Sequence, residues 1–402
     1  MTEYSGQNQN ESRHQASDAS GSSWLTYALD TTVATASIPQ NSSYSHDGIY
    51  SAAQIDTVNY IFAWMYVCLL VLCTVGNGLN LTVLLRSVKT WRMSACHYMI
   101  ATAVADLGSL WFALPFFLHL LSRGQTEYTP SVAFGIVPWM DDASMWLSDW
   151  ILVMFSWERL LVILCPFHFR SLQRVTVARI AILILLVLSL SFNMVNFVVN
   201  YEDPHNHMIG ARYGFDSDGS LSWIRQWFAF HAKAMIIVRL LTFLLILIPN
   251  CILIGFLAYY RQTEINTMRV TPNARKESCV SPTRSAQNSI NVILLSSAAL
   301  FLITRAPQTF QMCAVAANSK IGLYNADDSV THITDDFINL AVLIGYTMNF
   351  YVYLLTERQY RERFMAVVVR PLFSCCVRTL PWHDEESYGV EECSPTASAT
   401  AV

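Results

Sequence analysis

Charge is scarce in this chain. Asp, Glu, Lys and Arg make up only 13% of 402 residues against 53% hydrophobic, a balance that cannot cover a soluble surface. Several chemistries are also missing. There is no HExxH metal-protease pattern, no glycine-rich phosphate loop and no Ser/His pairing suited to hydrolysis, so neither an enzyme nor a cofactor is expected. His205-Asn206-His207 reads as an exposed polar loop rather than a metal site. No basic tract points to nucleic acid. The two halves show no internal repeat, which counts against a transporter built around a midplane site. No apolar run precedes residue 59, so the first span is expected to act as its own insertion signal.

The apolar residues stand in long blocks. A bilayer core of about 30 Å needs about 20 apolar residues per helix. Seven segments are expected to span, at about 59–85, 97–121, 139–164, 178–199, 234–258, 289–315 and 335–356. Lipid offers the backbone no hydrogen-bond partners, so each must be helical. The third is the least apolar, because Asp141, Asp142 and Asp149 interrupt it.

Orientation follows from the bases. Arg86, Lys89 and Arg92 follow the first span, and Arg170, Arg174 and Arg179 the third. Arg261, Arg269, Arg275, Lys276 and Arg284 lie between the fifth and sixth, and Arg358, Arg361 and Arg363 follow the seventh. Cytoplasmic segments carry that excess, so the N-terminus is expected outside and the C-terminus inside. The chain then divides into a disordered extracellular tail (1–58), a seven-transmembrane domain (59–356), an amphipathic membrane-surface helix (357–376) and a disordered cytoplasmic tail (377–402). Asn10 and Asn41 begin glycosylation sequons on the outer side, whereas the Asn80 sequon lies within a span and is set aside. In the surface helix Phe364, Val368 and Phe373 are expected to enter lipid, with Cys375 and Cys376 as palmitoylation sites. Ser387, Ser394, Thr396, Ser398 and Thr400 make the tail phosphorylatable. None of the ten cysteines falls in the N-terminal tail or the first two outer loops, so no disulfide can tie the third helix to the loop after the fourth.

Polar side chains inside spans are costly and mark function. Asn77 stands in GNGLN of the first span, Asp106 in AVADL of the second and Asn349 in MNFYVY of the seventh, with Tyr353 one turn on. Singly, each reads as well as glue between helices. Glu158-Arg159-Leu160 ends the third span, and Pro166, Pro249 and Pro307 mark the third, fifth and sixth. Arg305, about two turns into the outer half of the sixth span, needs an acidic partner or water. Asp106 and Asp149 are the internal choices, and Asp141 or Asp142 the outward ones.

At these residues the chain resembles rhodopsin-like G-protein-coupled receptors over about 59–376. Asn77, Asp106, Glu158-Arg159-Leu160, Pro166 and Pro249 match that family's motifs, with Leu160 in an aromatic's place. FLITRAPQ (301–308), MNFYVYLLTERQYRERF (348–364), Ser148-Asp149-Trp150-Ile151 and Pro115-Phe116 with His119 are similar to the invertebrate branch that includes FMRFamide and myosuppressin receptors. The sequence departs from the family in lacking the extracellular disulfide and the fourth- and sixth-helix tryptophans. Phe350 stands where a proline is usual, and Gln287 where an acid often faces the third-helix arginine.

The resemblance implies an extracellular cationic, amidated peptide ligand and a heterotrimeric G protein inside. Glu158, Arg159, Asn349 and Tyr353 would serve coupling and activation. Asn77, Asp106, Ser148, Asp149 and Arg305 would form the intramembrane polar network, with Asp106 and Ser148 lining a cavity that often holds sodium. Asp141, Asp142, His119, Arg239 and Gln308 are the candidate ligand residues. The outer acids, among them Glu202, Asp203, Asp216, Asp218, Asp327, Asp328, Asp335 and Asp336, would attract a cation, although such a run is more often simply solvated. Two alternatives stay open: a monoamine receptor using Asp141, and a transporter or channel subunit. The seventh span has no lysine for a retinal Schiff base.

Overall fold

The computed structural model describes residues 52–86, 93–121, 131–165, 173–200, 222–270, 282–318 and 328–371. Among them every regular element is helical. The elements are α1 (Ala52–Arg86), α2 (Ser94–Leu121), α3 (Ser131–Leu164), α4 (Val175–Asn200), α5 (Ser222–Val270), α6 (Pro282–Asn318), α7 (Asp328–Thr356) and the short α8 (Arg358–Phe364). One turn of wider π-helix, Met365–Val369, continues α8. Residues 52–58, read from sequence as tail, belong to α1, and α5 runs well beyond the expected 234–258 at both ends.

Six segments are long and apolar enough to cross a membrane: Thr57–Arg86, Ser94–Pro115, Val175–Phe197, Lys233–Tyr260, Ile290–Ala314 and Ile333–Thr356. Their outward faces have the make-up of a multi-pass membrane protein. On α4 the exposed Ile180, Leu183, Ile184, Val187 and Leu188 follow the three- and four-residue spacing of one helix face, a stripe that water would not tolerate. The expectation of seven apolar segments is met by six. α3 falls short in composition because Asp141, Asp142, Asp149, Glu158 and Arg159 lie along it.

The packing explains where those charges go. α1 packs on α2 and α7, α2 on α4, α4 on α5, α5 on α6, and α6 on α7, which closes a ring. α3 touches α2, α4, α5 and α6, and lies inside that ring. A surrounded helix answers to its neighbours rather than to solvent or lipid. Apolar packing fills the ring in clusters. One cluster joins Tyr66, Leu110, Leu343 and Tyr346, a second joins Tyr98, Ile151, Phe155, Leu294, Phe350 and Tyr353, and a smaller third joins Val153, Ile246 and Ala298.

Backbones approach closely at α6 and α7, where a Cβ on Gly345 would lie 2.5 Å from the Thr304 Oγ1. The absence of that carbon brings α7 against the α6 segment that carries Arg305. After α7, Glu357 breaks the helix and caps α8, its carboxylate accepting from the Gln359 amide at 2.9 Å. α8 does not lay Phe364 and Val368 into lipid as expected. Both pack on the bundle, Phe364 with its ring 5.7 Å from that of Phe350, because α8 turns its apolar side under α7. Phe373, Cys375 and Cys376 lie outside the described residues, as do Asn10, Asn41, Glu202, Asp203, Asp216, Asp218 and Asp327, the 205–207 loop and the 377–402 tail.

Candidate functional site: a buried polar column

The centre of the bundle is a column of polar side chains around α3. Asp106 on α2 is fully buried. Its Oδ1 accepts from Ser148 Oγ of α3 at 2.5 Å and its Oδ2 from Asn349 Nδ2 of α7 at 2.8 Å. A buried carboxylate needs such donors, since an unsatisfied one is expensive. Asn77 on α1 adds a fourth helix, its amide reaching the Tyr346 carbonyl at 3.4 Å and Cys73 Sγ at 3.2 Å.

One residue on, Asp149 takes Arg305 as its partner. Arg305 Nη2 lies 2.9 Å from Oδ1 and 3.2 Å from Oδ2, with both side chains buried. Of the partners weighed from sequence for Arg305, Asp149 is the one it bonds. Tyr346 of α7 completes the pair, its hydroxyl donating to Asp149 Oδ1 at 3.1 Å and its ring lying 4.5 Å under the guanidinium. Phe301 lies 5.7 Å from the same cation. Beside the Asp149–Arg305 pair is a cavity of ≈ 30 Å³ lined by Ser148, Asp149, Thr304, Arg305, Tyr346 and Asn349 among others. That volume admits about two waters, whose partners would be these polar groups.

Toward the end of α3 that carries Glu158 and Arg159, both residues are buried. Glu158 Oε1 accepts from Ser94 Oγ at 2.5 Å and from Arg159 Nη2 at 3.1 Å, while Arg159 Nη2 also lies 3.3 Å from Ser94 Oγ. Glu158 Oε2 and Arg159 Nε have no hydrogen-bond partner among the described residues. Tyr353 meets Ser297 of α6 at 3.1 Å. Asn80, set aside as a sequon, is a buried acceptor for the Tyr360 hydroxyl of α8 at 2.7 Å. Burial pushes that phenol above its ordinary range.

Toward the other end, Arg239 of α5 donates to Gln308 Oε1 of α6 at 3.2 Å. Asp142 accepts from Asn196 of α4 at 2.5 Å, and Asp141 Oδ1 is buried without a hydrogen-bond partner among the described residues. Asp335, counted from sequence among the outer surface acids, is instead 2% exposed and accepts from Gln311 of α6. The side chains of His119 and Gln287 lie outside the described residues. The six described cysteines, Cys68, Cys73, Cys96, Cys165, Cys251 and Cys313, are free thiols.

The structure therefore brings Asp106, Ser148 and Asn349 together, and Asp149 with Arg305, with Asn77 adjoining. Glu158 and Arg159 form a separate cluster, whereas Arg239 joins the Arg305 node through Gln308, which both guanidiniums reach. Sequence reading missed Tyr346 and Ser94. Tyr346 had a signal: it is three residues before Asn349 and seven before Tyr353, on one face of one helix. Ser94, at the first residue of α2, had none. No family model matches the chain, and no curated protein matches it in sequence.

Proposed function

We propose that this chain is a rhodopsin-like G-protein-coupled receptor in the plasma membrane, binding an extracellular cationic, amidated peptide and activating a heterotrimeric G protein inside. The observation that carries the reading is Asp106, a buried acid on α2 that ties α3 through Ser148 and α7 through Asn349. A bundle held at its centre by one hydrogen-bonded node has an element that two ligands on opposite sides can bias. α3 serves as the seventh span in this reading, because its acids face helix partners rather than lipid. The Glu158–Arg159 pair would lie at the cytoplasmic end, where release of Arg159 would expose a cation to the G protein. Palmitoylation at Cys375 and Cys376, glycosylation at Asn10 and Asn41, and arrestin binding by the tail belong to the same proposal.

One observation favours a monoamine ligand as a second reading. Asp141 Oδ1 is buried with no hydrogen-bond partner among the described residues, and could take an ammonium. Against it, Arg239 is within electrostatic reach of Asp141 and would repel a small cation placed there.

The test is guanine-nucleotide release from a panel of heterotrimeric G proteins by the chain reconstituted in lipid discs. Amidated peptides and monoamines are supplied in parallel. Acceleration by an amidated peptide is expected, and acceleration by amines alone would select the second reading. A chain that accelerates release from none of the G proteins, yet moves a solute across a vesicle, would be a transporter or channel subunit.

A further inference from the structure

Gln308 has one side-chain carbonyl oxygen, and two guanidinium groups converge on it. Arg239 of α5 donates at 3.2 Å and Arg305 of α6 at 3.3 Å. Both lie at the long end for an N–H to oxygen bond, as expected when two cations share one acceptor. The positions of the two cations differ. Arg305 also holds a carboxylate, Asp149. Arg239 has no carboxylate within ion-pair distance among the described residues, and its Nε is buried with no partner. A guanidinium carries five N–H donors in a rigid fork suited to a carboxylate or amide oxygen. Arg239 is half-buried, and its fork is under-used.

We infer that Arg239 is the docking point for an acceptor oxygen of the ligand, a carboxylate or carboxamide, and that Gln308 transmits its occupancy to the Arg305–Asp149 pair. An oxygen arriving at Arg239 satisfies that fork and leaves Gln308 Oε1 to Arg305 alone. Arg305 is then drawn between Gln308 and Asp149, and the α3–α6 contact shifts with it. Only the signalling consequence rests on the receptor reading. The subsite and its link to Arg305 do not.

The probes are sodium acetate and acetamide, with sodium chloride at equal concentration as the ionic-strength control, read by thermal melting of the purified full chain. Acetate or acetamide should raise the melting temperature above the chloride control in the parent. The gain should vanish in Arg239→Gln and survive in part in Arg239→Lys, which keeps the charge but loses the fork. Acetate acting alone assigns a carboxylate, and acetamide acting as well assigns a carboxamide. A parent that responds to neither, or an Arg239→Gln variant that responds equally, overturns the subsite.

The shared acceptor is tested separately. Gln308→Glu places a carboxylate between two guanidiniums and should raise the melting temperature while abolishing the acetate response. Gln308→Met should lower it. If Gln308→Glu destabilises as Gln308→Met does, the shared acceptor is wrong. Gln308→Glu should also cut agonist-driven nucleotide exchange several-fold by holding Arg239. A parent that drives no exchange defeats the receptor reading, while the melting results still decide the subsite.

Discussion

A single guanidinium nitrogen of Arg305 on α6 reaches both carboxylate oxygens of Asp149 on α3, at 2.9 and 3.2 Å, over the ring of Tyr346 on α7. Three helices thus meet at one buried charge pair. Such a pair gains little over a well-packed apolar substitute, but either member alone is an orphaned charge.

Arg305→Met should therefore destabilise the folded chain by about 3–5 kcal/mol, the usual cost of leaving one buried charge unpaired. Arg305→Met with Asp149→Asn should recover much of the loss. Arg305→Met with Asp106→Asn should not, since Asp106 is already held by Ser148 and Asn349. Melting of the three purified variants in one detergent checks this. Additive losses in the Asp149 double variant would remove the pair from the account.

Gly345 tests how tightly α6 and α7 meet. A methyl group there would lie 2.5 Å from Thr304 Oγ1 and 3.3 Å from its Cβ. Thr304 cannot swing aside freely, because its hydroxyl is tied back to the Leu300 carbonyl at 2.9 Å. Gly345→Ala should cost about 1–3 kcal/mol by overpacking. Removing the hydroxyl with Thr304→Ala in the same chain should return most of it. Equal melting temperatures for the parent and Gly345→Ala would show that the helices can part at no cost.

Much of this architecture was legible in the sequence, and the misses have physical causes. Long apolar segments identify helices by length alone, which is why six of seven segments meet the requirement for spanning a membrane. α3 breaks that rule because a helix ringed by others is chosen for pairing, not for lipid. A buried arginine needs an acid or water, so the acidic partners open to Arg305 could be narrowed to a few residues, of which the bundle supplies Asp149. Phe364 and Val368 were misplaced because an alternation of basic and apolar residues gives a helix two faces but does not say whether lipid or protein covers the apolar one. Asp335 looked like a surface acid for want of any sign that Gln311 of α6 faces it.

Tyr360 and Asn80 give α8 its seat. The phenol donates to a buried amide oxygen at 2.7 Å, and Tyr360→Phe leaves that oxygen without its donor. The loss should be about 1–3 kcal/mol, the usual cost of a buried unsatisfied group. Tyr360→Phe with Asn80→Leu should lose less. The pH dependence has a definite sign. The folded-state phenol titrates above its ordinary range, so this tie is fully present below the unfolded tyrosine range and weakens as pH rises through and beyond it. Melting of parent and Tyr360→Phe from neutral to strongly alkaline pH should converge. A constant gap would show that the hydroxyl is not the donor.

Arg159 and Glu158 make opposite predictions if the proposed function is right. Glu158 is the carboxylate bonded to Arg159, and Ser94 bridges the two, so the guanidinium is held inside the bundle at rest. Glu158→Gln removes the charge but keeps the shape, weakening a charge-assisted bond to a neutral one. Arg159 should then leave the bundle more readily, and agonist-free nucleotide exchange should rise several-fold. A 1.4 kcal/mol change in that equilibrium is tenfold in population, so even partial weakening is measurable. Arg159→Ala should instead abolish exchange while keeping peptide affinity within about tenfold, because the ligand side lies across the bilayer, beyond about 30 Å of hydrocarbon. Ser94→Ala removes the bridge but neither charge and should fall between parent and Glu158→Gln. These are read by nucleotide release at matched surface expression, with peptide binding measured on the same discs. Full exchange by Arg159→Ala, or a fall in basal exchange with Glu158→Gln, would show that this pair does not hold the resting state.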